Sequence, residues 1–458
     1  MPEAKEGTGK SLWGVLPYLP SDFALSWFCR VSAAKPIYKA HFLKVASVNV
    51  ADHEMVKQII TDRAFDQKGA FYQIMSPFVG ETSILITHGP EWKKTHRLLS
   101  QTFNVTNIEN NYLPTILKAA QTHADQLSRE HAINVGAPDR GPMHCFDVDQ
   151  MTTALALDIV TQTVFGVSEE VATSVNNVLG AMEYGAMEVE KRGFDPLRAY
   201  NPWLAIKYRW SISRLRSEAK KIIRHRRAHL DETTNSKDFI ASMLRARDEE
   251  TGEMFSEEGI IDQCVTFFLA GHDTTAHTLA WAFYLLGRHP EIQAKVIEEV
   301  DALGDEELTA SQLNGLKYVT MVIKETLRMY CPAGVFSRST VTPTSLGGYH
   351  IDRGVEVTVN IAAMHYDPKH FTHPLHFNPE RFNEENQTKI PPFQYIPFSK
   401  GERSCIGQKF AMLEMKAVLV TFFRRFTFGV DPWADLTSDA KITFMPTSIK
   451  VIVEERKK

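Results

Sequence analysis

Residues 398–407 read Phe-Ser-Lys-Gly-Glu-Arg-Ser-Cys-Ile-Gly, and this segment is the most informative part of the sequence for predicting the fold. The segment runs directly into an amphipathic stretch, Gln408 to Arg424, which predicts a helix. Cys405 therefore lies at a helix start, where backbone N–H groups, the helix dipole and nearby Arg403 are expected to favour the thiolate. Such a cysteine serves as a nucleophile or as a metal ligand. A cysteine protease also needs a histidine and an orienting group close in space, and no local nucleophile signature is present.

The composition is that of an ordinary globular protein. The chain has 458 residues, 43% hydrophobic and 23% charged, and its 51 basic and 55 acidic side chains leave a net charge of -4. These values exclude disordered, collagen-like and coiled-coil proteins. They also argue against a nucleic-acid partner, which needs a basic excess to pair with its phosphates. Five scattered cysteines, an odd number, indicate a reducing compartment and no disulfide framework.

Helical periodicity dominates the chain, so we expect a mostly α fold with a small β region. No repeat, low-complexity tract or linker interrupts residues 34–458, which favours one large domain at 31–458 after a polar and then apolar lead at 1–30. The clearest strand alternates Val355, Val357, Val359 and Ile361 with polar neighbours. Apolar residues at three-to-four spacing predict helices over Leu113–Ser128, Val148–Phe165, Ser211–Leu230, Glu257–Arg288, Glu291–Ala302 and Ser311–Tyr330.

The longest predicted helix carries polar groups at its centre. Ser256 can cap its start and Pro290 marks its end, so it spans about 45 Å at 1.5 Å per residue. Residues 270–275 read Ala-Gly-His-Asp-Thr-Thr in an otherwise apolar helix. One interpretation has Thr274 bonding back to the carbonyl four residues earlier while Asp273 faces solvent. The other makes these side chains part of a buried functional site.

The pattern F-x-x-G-x-R-x-C-x-G resembles the haem-binding signature of the cytochrome P-450 family. Three further family motifs follow the same order along the chain: the oxygen-activating motif at 270–275, E-x-x-R at 325–328 and P-E-R-F at 379–382. The resemblance extends from about Pro36 nearly to the C-terminus. It implies a single large haem-thiolate monooxygenase fold with a long central helix over the haem. The fixed positions of the haem-binding signature are Phe398, Gly401, Arg403, Cys405 and Gly407.

The resemblance implies one haem b as the cofactor, with the Cys405 thiolate as the ligand of its iron. Such a ligand pushes electron density toward bound dioxygen. By the same resemblance, Phe398 packs beside the sulfur and limits its solvation, and Gly407 lets the backbone approach the porphyrin.

The central helix is expected to supply the opposite side of the haem. In the family, an acid and a hydroxyl at this place deliver protons to reduced dioxygen, which assigns those roles to Asp273 and Thr274. Ala270 is small and leaves room for dioxygen. Substrate-lining candidates are Ala270, Val335 and Phe336, all apolar, which implies a lipophilic substrate such as a sterol or fatty acid.

Two sets of charged residues follow from the resemblance. Glu325 and Arg328 lie three apart on one helical face, and Arg381 is expected to complete a buried structural network with them. Cationic or N–H groups must also meet the two haem propionates. The candidates for that contact are Arg403, Arg338, Trp92 and His96, the last standing where many members carry arginine; Arg97, about 100° further round the helix, is less suitable.

A separate electron donor is expected. The chain after Cys405 is too short for a fused flavin or iron–sulfur reductase, so NADPH would act only through a separate flavoprotein reductase or another donor. The donor would dock on a basic face near the haem. Alternatively, this basic face is an ordinary solvated helix face. The residues of that basic face are Lys93, Lys94, Arg97 and Lys409.

Two segments suggest a membrane surface. The lead from Leu12 to Phe28 is apolar but interrupted, and Trp203, Leu204 and Ile206 precede a stretch to Arg227 with nine basic residues and one acid. We therefore expect the cytoplasmic face of the endoplasmic reticulum membrane, with a soluble cytoplasmic enzyme as the alternative.

The leading functional hypothesis is a monooxygenase that inserts one atom of dioxygen into a lipophilic substrate. A haem-thiolate isomerase or dehydratase acting on peroxides is a second possibility. Such members tend to lose the acid–threonine pair, which this chain keeps at Asp273 and Thr274. A haem gas sensor without turnover is the third, and NADPH consumption with a reductase distinguishes it from an enzyme.

Overall fold

The structure is a computed structural model that describes residues 35–42, 45–135, 145–166, 180–182, 184–189, 191–192, 195–228, 238–430, 438–440, 444–446 and 449–457. The predicted apolar lead at Leu12–Phe28 lies outside these residues. The helices are α1 His53–Thr61, α2 Ala70–Val79, α3 Gly89–Thr102, α4 Val105–Asn107, α5 Leu113–Val135, α6 Val148–Val160, α7 Pro202–Ala228, α8 Phe239–Arg245, α9 Glu257–Arg288, α10 Pro290–Asp301, α11 Ala310–Gly315, α12 Tyr318–Met329, α13 Ile361–His365, α14 Glu384–Gln387 and α15 Gln408–Phe423. The strands are β1 Ile37–Phe42, β2 Val45–Val50, β3 Gln67–Lys68, β4 Cys145–Asp147, β5 Val335–Ser339, β6 Thr344–Leu346, β7 Tyr349–Ile351, β8 Glu356–Asn360, β9 Phe426–Val430, β10 Ser438–Ala440, β11 Phe444–Pro446 and β12 Lys450–Glu455.

The 32-residue helix α9 crosses the molecule and organises the core. The Ser256 side chain caps it by accepting a hydrogen bond from the Gly259 N–H at 3.0 Å, and two glutamates in its first turn suit the positive end of the helix dipole. One apolar cluster joins the second half of α9 to α5, α12 and α15. Another joins its first half to α2, α7 and α8. The mostly helical fold with a long central helix is therefore confirmed.

The strands form small sheets beside the helical core. The largest has the order β1-β2-β8-β5-β3, in which β2 and β8 run parallel and the other pairs run antiparallel. A turn with Gly354 at φ 79° leads into β8, as the sequence predicts. Its apolar side chains, among them Val357 and Val359, pack with α1 and Phe65 in a third cluster. A three-stranded sheet, β4-β12-β9, holds the C-terminal strand.

One predicted helix is divided. The periodic stretch Ser311–Tyr330 forms α11 and α12, because the chain turns between Gly315 and Tyr318. The carboxylate of Glu299 accepts hydrogen bonds from the first backbone N–H groups of the second helix, those of Lys317, Tyr318 and Val319, at 2.7 to 2.8 Å. A residue distant in sequence therefore starts α12, which local spacing does not reveal.

Among the described residues, none of the helices is both long enough and apolar enough to span a bilayer.

Candidate active site

The loop before α15 holds Cys405 in a fixed position. The Cys405 N–H donates to the Phe398 carbonyl at 2.8 Å, and Gly401 adopts φ 74° in the short turn between them. A side chain on Gly401 would place its Cβ 2.8 Å from Ile60 Cγ2, so only glycine fits. Phe398 packs against the cluster that lines the second half of α9. The loop is thus shaped by glycine and anchored by Phe398.

Protein surrounds the Cys405 thiol, yet its side chain is accessible. Burial raises its thiol pKa, although the backbone N–H groups of Gly407 and Gln408 act in the opposite direction. Desolvation therefore outweighs the N–H groups that are expected to favour the thiolate. A bound metal ion deprotonates a coordinating thiol.

The middle of α9 is exposed at Ala270 and partly exposed at Gly271, Asp273 and Thr274. Ala270 is exposed although Phe268 and Leu269 before it are buried. Ile406, next to the candidate ligand, packs against the cluster that contains Phe268 and Leu269. The cysteine loop therefore packs against the apolar cluster that includes the first half of α9.

The polar groups of α9 have defined partners. Thr274 Oγ1 donates to the Ala270 carbonyl at 2.9 Å, as the first interpretation of this motif expects. Asp273 does not simply face solvent, because its Oδ1 lies 2.9 Å from His272 Nε2 and its side chain is 29% exposed. The two interpretations are compatible, since the Thr274 hydroxyl lies beside an accessible alanine.

Positive charges converge beside this region. Strands β3 and β5 pair Lys68 directly opposite Arg338. The pKa of Lys68 lies well below its usual value, mainly through burial and then through the charges of Arg338 and Arg403. Burial and then Arg403 also lower the pKa of Arg338. Like charges on residues directly opposite each other in paired strands are destabilising. An anionic ligand would therefore stabilise this cluster.

The other two candidates for propionate contact belong to the same cluster. The Arg403 guanidinium lies 4.0 Å from the centre of the Trp92 ring, and the rings of Trp92 and His96 are 4.8 Å apart. Arg403 also donates to Asp66 Oδ1 at 2.7 Å and to the Thr87 carbonyl at 3.1 Å. One carboxylate thus balances part of the charge, and the remaining excess fits a ligand with two carboxylates.

Sequence reasoning missed Lys68. It stands outside every motif, and only the pairing of β3 with β5 places it opposite Arg338. Lys68 is partly exposed although burial dominates its pKa, the same combination that Cys405 shows. Its ammonium also lies 4.7 Å from the centre of the Tyr72 ring. We therefore add Lys68 to the residues that could hold an anionic cofactor group.

The predicted buried network is present. Glu325 and Arg328 are both 0% exposed, and their side chains form two hydrogen bonds of 2.8 and 2.9 Å. Arg381 Nε donates to Glu325 Oε1 at 3.2 Å. Arg328 also donates to the carbonyls of His365 and Pro374, so the network joins α12 to the last residue of α13 and to the loop that follows it.

The predicted substrate-lining pair divides between two environments. Val335 is 51% exposed at the start of β5, whereas Phe336 is buried in the sheet cluster. Val335 is the first residue of β5, and the three residues after it are all buried.

The basic face is partly neutralised. Arg97 pairs with Asp248 at 2.9 Å, and Lys94 forms an ion pair with Glu253. Lys93 and Lys409 are exposed. Arg97 is therefore engaged by an acid, and His96 stays the predicted propionate contact.

These features fit a haem-thiolate site, and the chain has been compared with known proteins. The family model for Cytochrome P450 matches residues 10–453. Cytochrome P450 4V2 of Mus musculus is 31% identical over 85% of this chain and 76% of its own length. Bifunctional cytochrome P450/NADPH--P450 reductase 2 of Bacillus subtilis is 32% identical over 96% of this chain, a match that spans 42% of that longer protein. The crystal structure of the cytochrome P450DA heme domain superposes with a TM-score of 0.84 and 26% identity, covering 97% of this chain and 96% of the other.

The chain belongs to the cytochrome P450 family. Its members are haem-thiolate monooxygenases, and haem b is the cofactor. The residues present fit that group: an accessible thiol is surrounded by protein, and a cluster of cations with too few carboxylates lies nearby.

Proposed function

We propose that this enzyme inserts one atom of dioxygen into a lipophilic substrate, with electrons that a flavoprotein reductase takes from NADPH. Bound haem supplies the iron that activates dioxygen. The accessible Cys405 thiol carries the proposal, because two backbone N–H groups point at it and protein surrounds it. Cys405 would bind the iron, while Lys68, Arg338, Trp92 and His96 would hold the propionates.

Two side chains of α9, those of Thr274 and Asp273, would deliver protons to the site. The Thr274 hydroxyl now donates to the Ala270 carbonyl at 2.9 Å, and rotation would turn its proton toward the accessible space. Asp273 would resupply that proton from its partly exposed carboxyl group. The retained acid–threonine pair favours oxygen insertion over peroxide isomerisation.

The ligand assignment is tested by the spectrum of the reduced carbon monoxide complex. We expect the red-shifted Soret band of thiolate ligation in the native protein and its loss in Cys405→His. Cys264→Ala and Cys331→Ala are matched controls, since both residues are buried free cysteines, and each variant should keep the band. A native spectrum in Cys405→His would refute the assignment.

A lipophilic substrate is supported by the apolar surroundings of Ala270. Ala270 and Val335 are accessible, and the cluster beside Ala270 is built from side chains such as Phe78, Val79 and Leu269. A screen of fatty acids and sterols for spectral shifts of the ferric protein would identify the class that binds. Shifts caused only by polar ligands would contradict this proposal.

The reductase would dock through the exposed lysines of the basic face. Lys93 and Lys409 are exposed, whereas Lys94 and Arg97 are engaged by acids. We expect Lys93→Glu with Lys409→Glu to slow the first electron transfer and to weaken its salt dependence. The control Lys221→Glu, on α7, should leave the rate unchanged; equal rates in all three proteins would exclude this docking face.

A membrane surface is proposed for the tip of α7. Trp203 is 81% exposed and Ile206 is 61% exposed beside basic residues of the same helix. Basic side chains contribute about 1 kcal/mol each at an anionic surface, and exposed aromatic residues insert at the interface. This placement would put the enzyme at the cytoplasmic face of the endoplasmic reticulum.

Sedimentation with anionic liposomes tests the membrane proposal. We expect binding at low salt, partial release as salt rises, and weaker binding for Trp203→Ser with Leu204→Ser. Leu375→Ser is the control, because Leu375 is an equally exposed apolar residue outside the tip. If no liposomes bind at low salt, or if both changes act alike, the enzyme is a soluble cytoplasmic one.

A further inference from the structure

His272 is held at both ring nitrogens. Its side chain is 11% exposed, Nδ1 lies 2.7 Å from the Phe268 carbonyl oxygen, and Nε2 lies 2.9 Å from Asp273 Oδ1. The ring therefore bridges the backbone of α9 and the carboxyl group of the next residue.

The contacts determine where the protons lie. A carbonyl oxygen only accepts hydrogen bonds, so Nδ1 must carry a proton. The contact between Nε2 and Asp273 Oδ1 is then a hydrogen bond only if it holds one more proton, either on the imidazole or on the carboxylic acid. Without that proton, a nitrogen lone pair and a carboxylate oxygen face each other at 2.9 Å, an unfavourable arrangement. The pair therefore has a strong tendency to regain a lost proton.

We propose that His272 is a positioning residue that orients Asp273 and keeps its carboxyl group supplied with a proton. The inference rests on the proposed function, in which Asp273 passes a proton toward Thr274. The proton of the Nε2 contact moves to Oδ1, and Asp273 passes this same proton on toward Thr274. The imidazole is left neutral with its proton on Nδ1, and the pair then regains one proton from water through the exposed part of Asp273. No electrons are transferred in these steps.

The chain offers a matched control on the same helix. His277 Nδ1 lies 3.0 Å from Asp149 Oδ1, so it is another buried histidine beside an aspartate. Asp149 belongs to α6, outside the proton path proposed here. A change of His277 disturbs α9 to a similar degree but leaves Asp273 and its neighbour unchanged.

The first test observes the proton directly in the haem-loaded protein. In the diamagnetic ferrous carbon monoxide complex with ¹⁵N-labelled histidine, the signals lost in His272→Gln identify His272. We expect a protonated Nδ1, with Nε2 either bare or sharing its proton with Asp273. A neutral ring with its proton on Nε2 and a bare Nδ1 would overturn the proposal.

The second test measures hydrogen peroxide released per NADPH consumed with a reductase and a bound substrate. Gln keeps a polar group near Asp273 but cannot store a proton, so we expect His272→Gln to release at least about twofold more peroxide, with a larger solvent isotope effect. His277→Gln should match the native protein. Because His272 acts through Asp273, adding His272→Gln to Asp273→Asn should cause no further loss of coupling.

The outcomes separate the two proposals. Native coupling in His272→Gln, or additive losses in the double variant, would refute the role of His272 while leaving the oxygenase function in place. Loss of the thiolate spectrum from the native protein would instead remove the function itself.

Discussion

Replacing Arg328 by methionine should destabilise the protein more than almost any other single change in its core. Arg328 is 0% exposed and donates four hydrogen bonds of 2.8 to 2.9 Å, two to Glu325 and two to backbone carbonyls. Without it, the buried Glu325 carboxylate keeps only Arg381 Nε at 3.2 Å and the Asn378 N–H at 3.0 Å. Removing one partner of a buried ion pair costs about 3–5 kcal/mol.

The expected change in melting temperature follows from the size of the chain. Unfolding entropy is roughly 2 cal/mol/K per residue, which gives about 1 kcal/mol/K for a protein of this length. Arg328→Met should therefore lower Tm by about 3–5 °C in a thermal unfolding scan. Arg381→Met is the control: Arg381 is 12% exposed and leaves the two bonds between Arg328 and Glu325 intact, so it should cost about 1–2 kcal/mol.

A double variant tests the cause of the loss. If the cost arises from an unpaired buried carboxylate, then Glu325→Leu with Arg328→Met should be more stable than Arg328→Met alone, because both charged partners are gone. Our reasoning fails if Arg328→Met melts within 1 °C of the native protein, or if the double variant is the least stable of the set.

Three further changes have defined outcomes. Burial raises the pKa of Glu414 well above 4.5, so the unfolded chain loses this proton first and stability falls as the pH rises above about 4.5. Glu414→Gln should therefore raise Tm over that of the native protein more at pH 8 than at pH 5. An equal difference in Tm at both pH values would contradict the raised pKa. Arg216 on α7 joins this helix to α9, since its Nη2 lies 2.7 Å from Glu258 Oε2 and 2.6 Å from Asp262 Oδ1. Arg216→Gln should therefore speed amide hydrogen exchange in α7 without moving the Soret band of the carbon monoxide complex. Unchanged exchange would show that apolar packing alone holds α7 in place. Thr274→Ala should bind substrate and accept electrons yet release more hydrogen peroxide per NADPH consumed, whereas full coupling would mean that water alone carries the proton.

Several features can be predicted from the sequence because they depend on residues that are close together along the chain. The helix predicted at Glu257–Arg288 has those bounds in the structure, because Ser256 caps its start and Pro290 follows its end. The loop around Cys405 was also predicted, since glycine and a cysteine before a helix act over a few residues. The spacing of Glu325 and Arg328 placed both side chains on one helical face. Signals of this kind depend on neighbours three or four positions away, which the sequence alone specifies.

Other properties depend on residues that are distant in sequence. Lys68 joins the cation cluster only because β3 pairs with β5 and sets it opposite Arg338. The thiol pKa of Cys405 rises because surrounding protein removes water, which outweighs the local N–H groups that the sequence indicates. Glu299 begins α12 from 18 residues upstream. Desolvation and the pairing of charges depend on which groups are neighbours in space. Only tertiary packing determines those neighbours when the residues are distant in sequence.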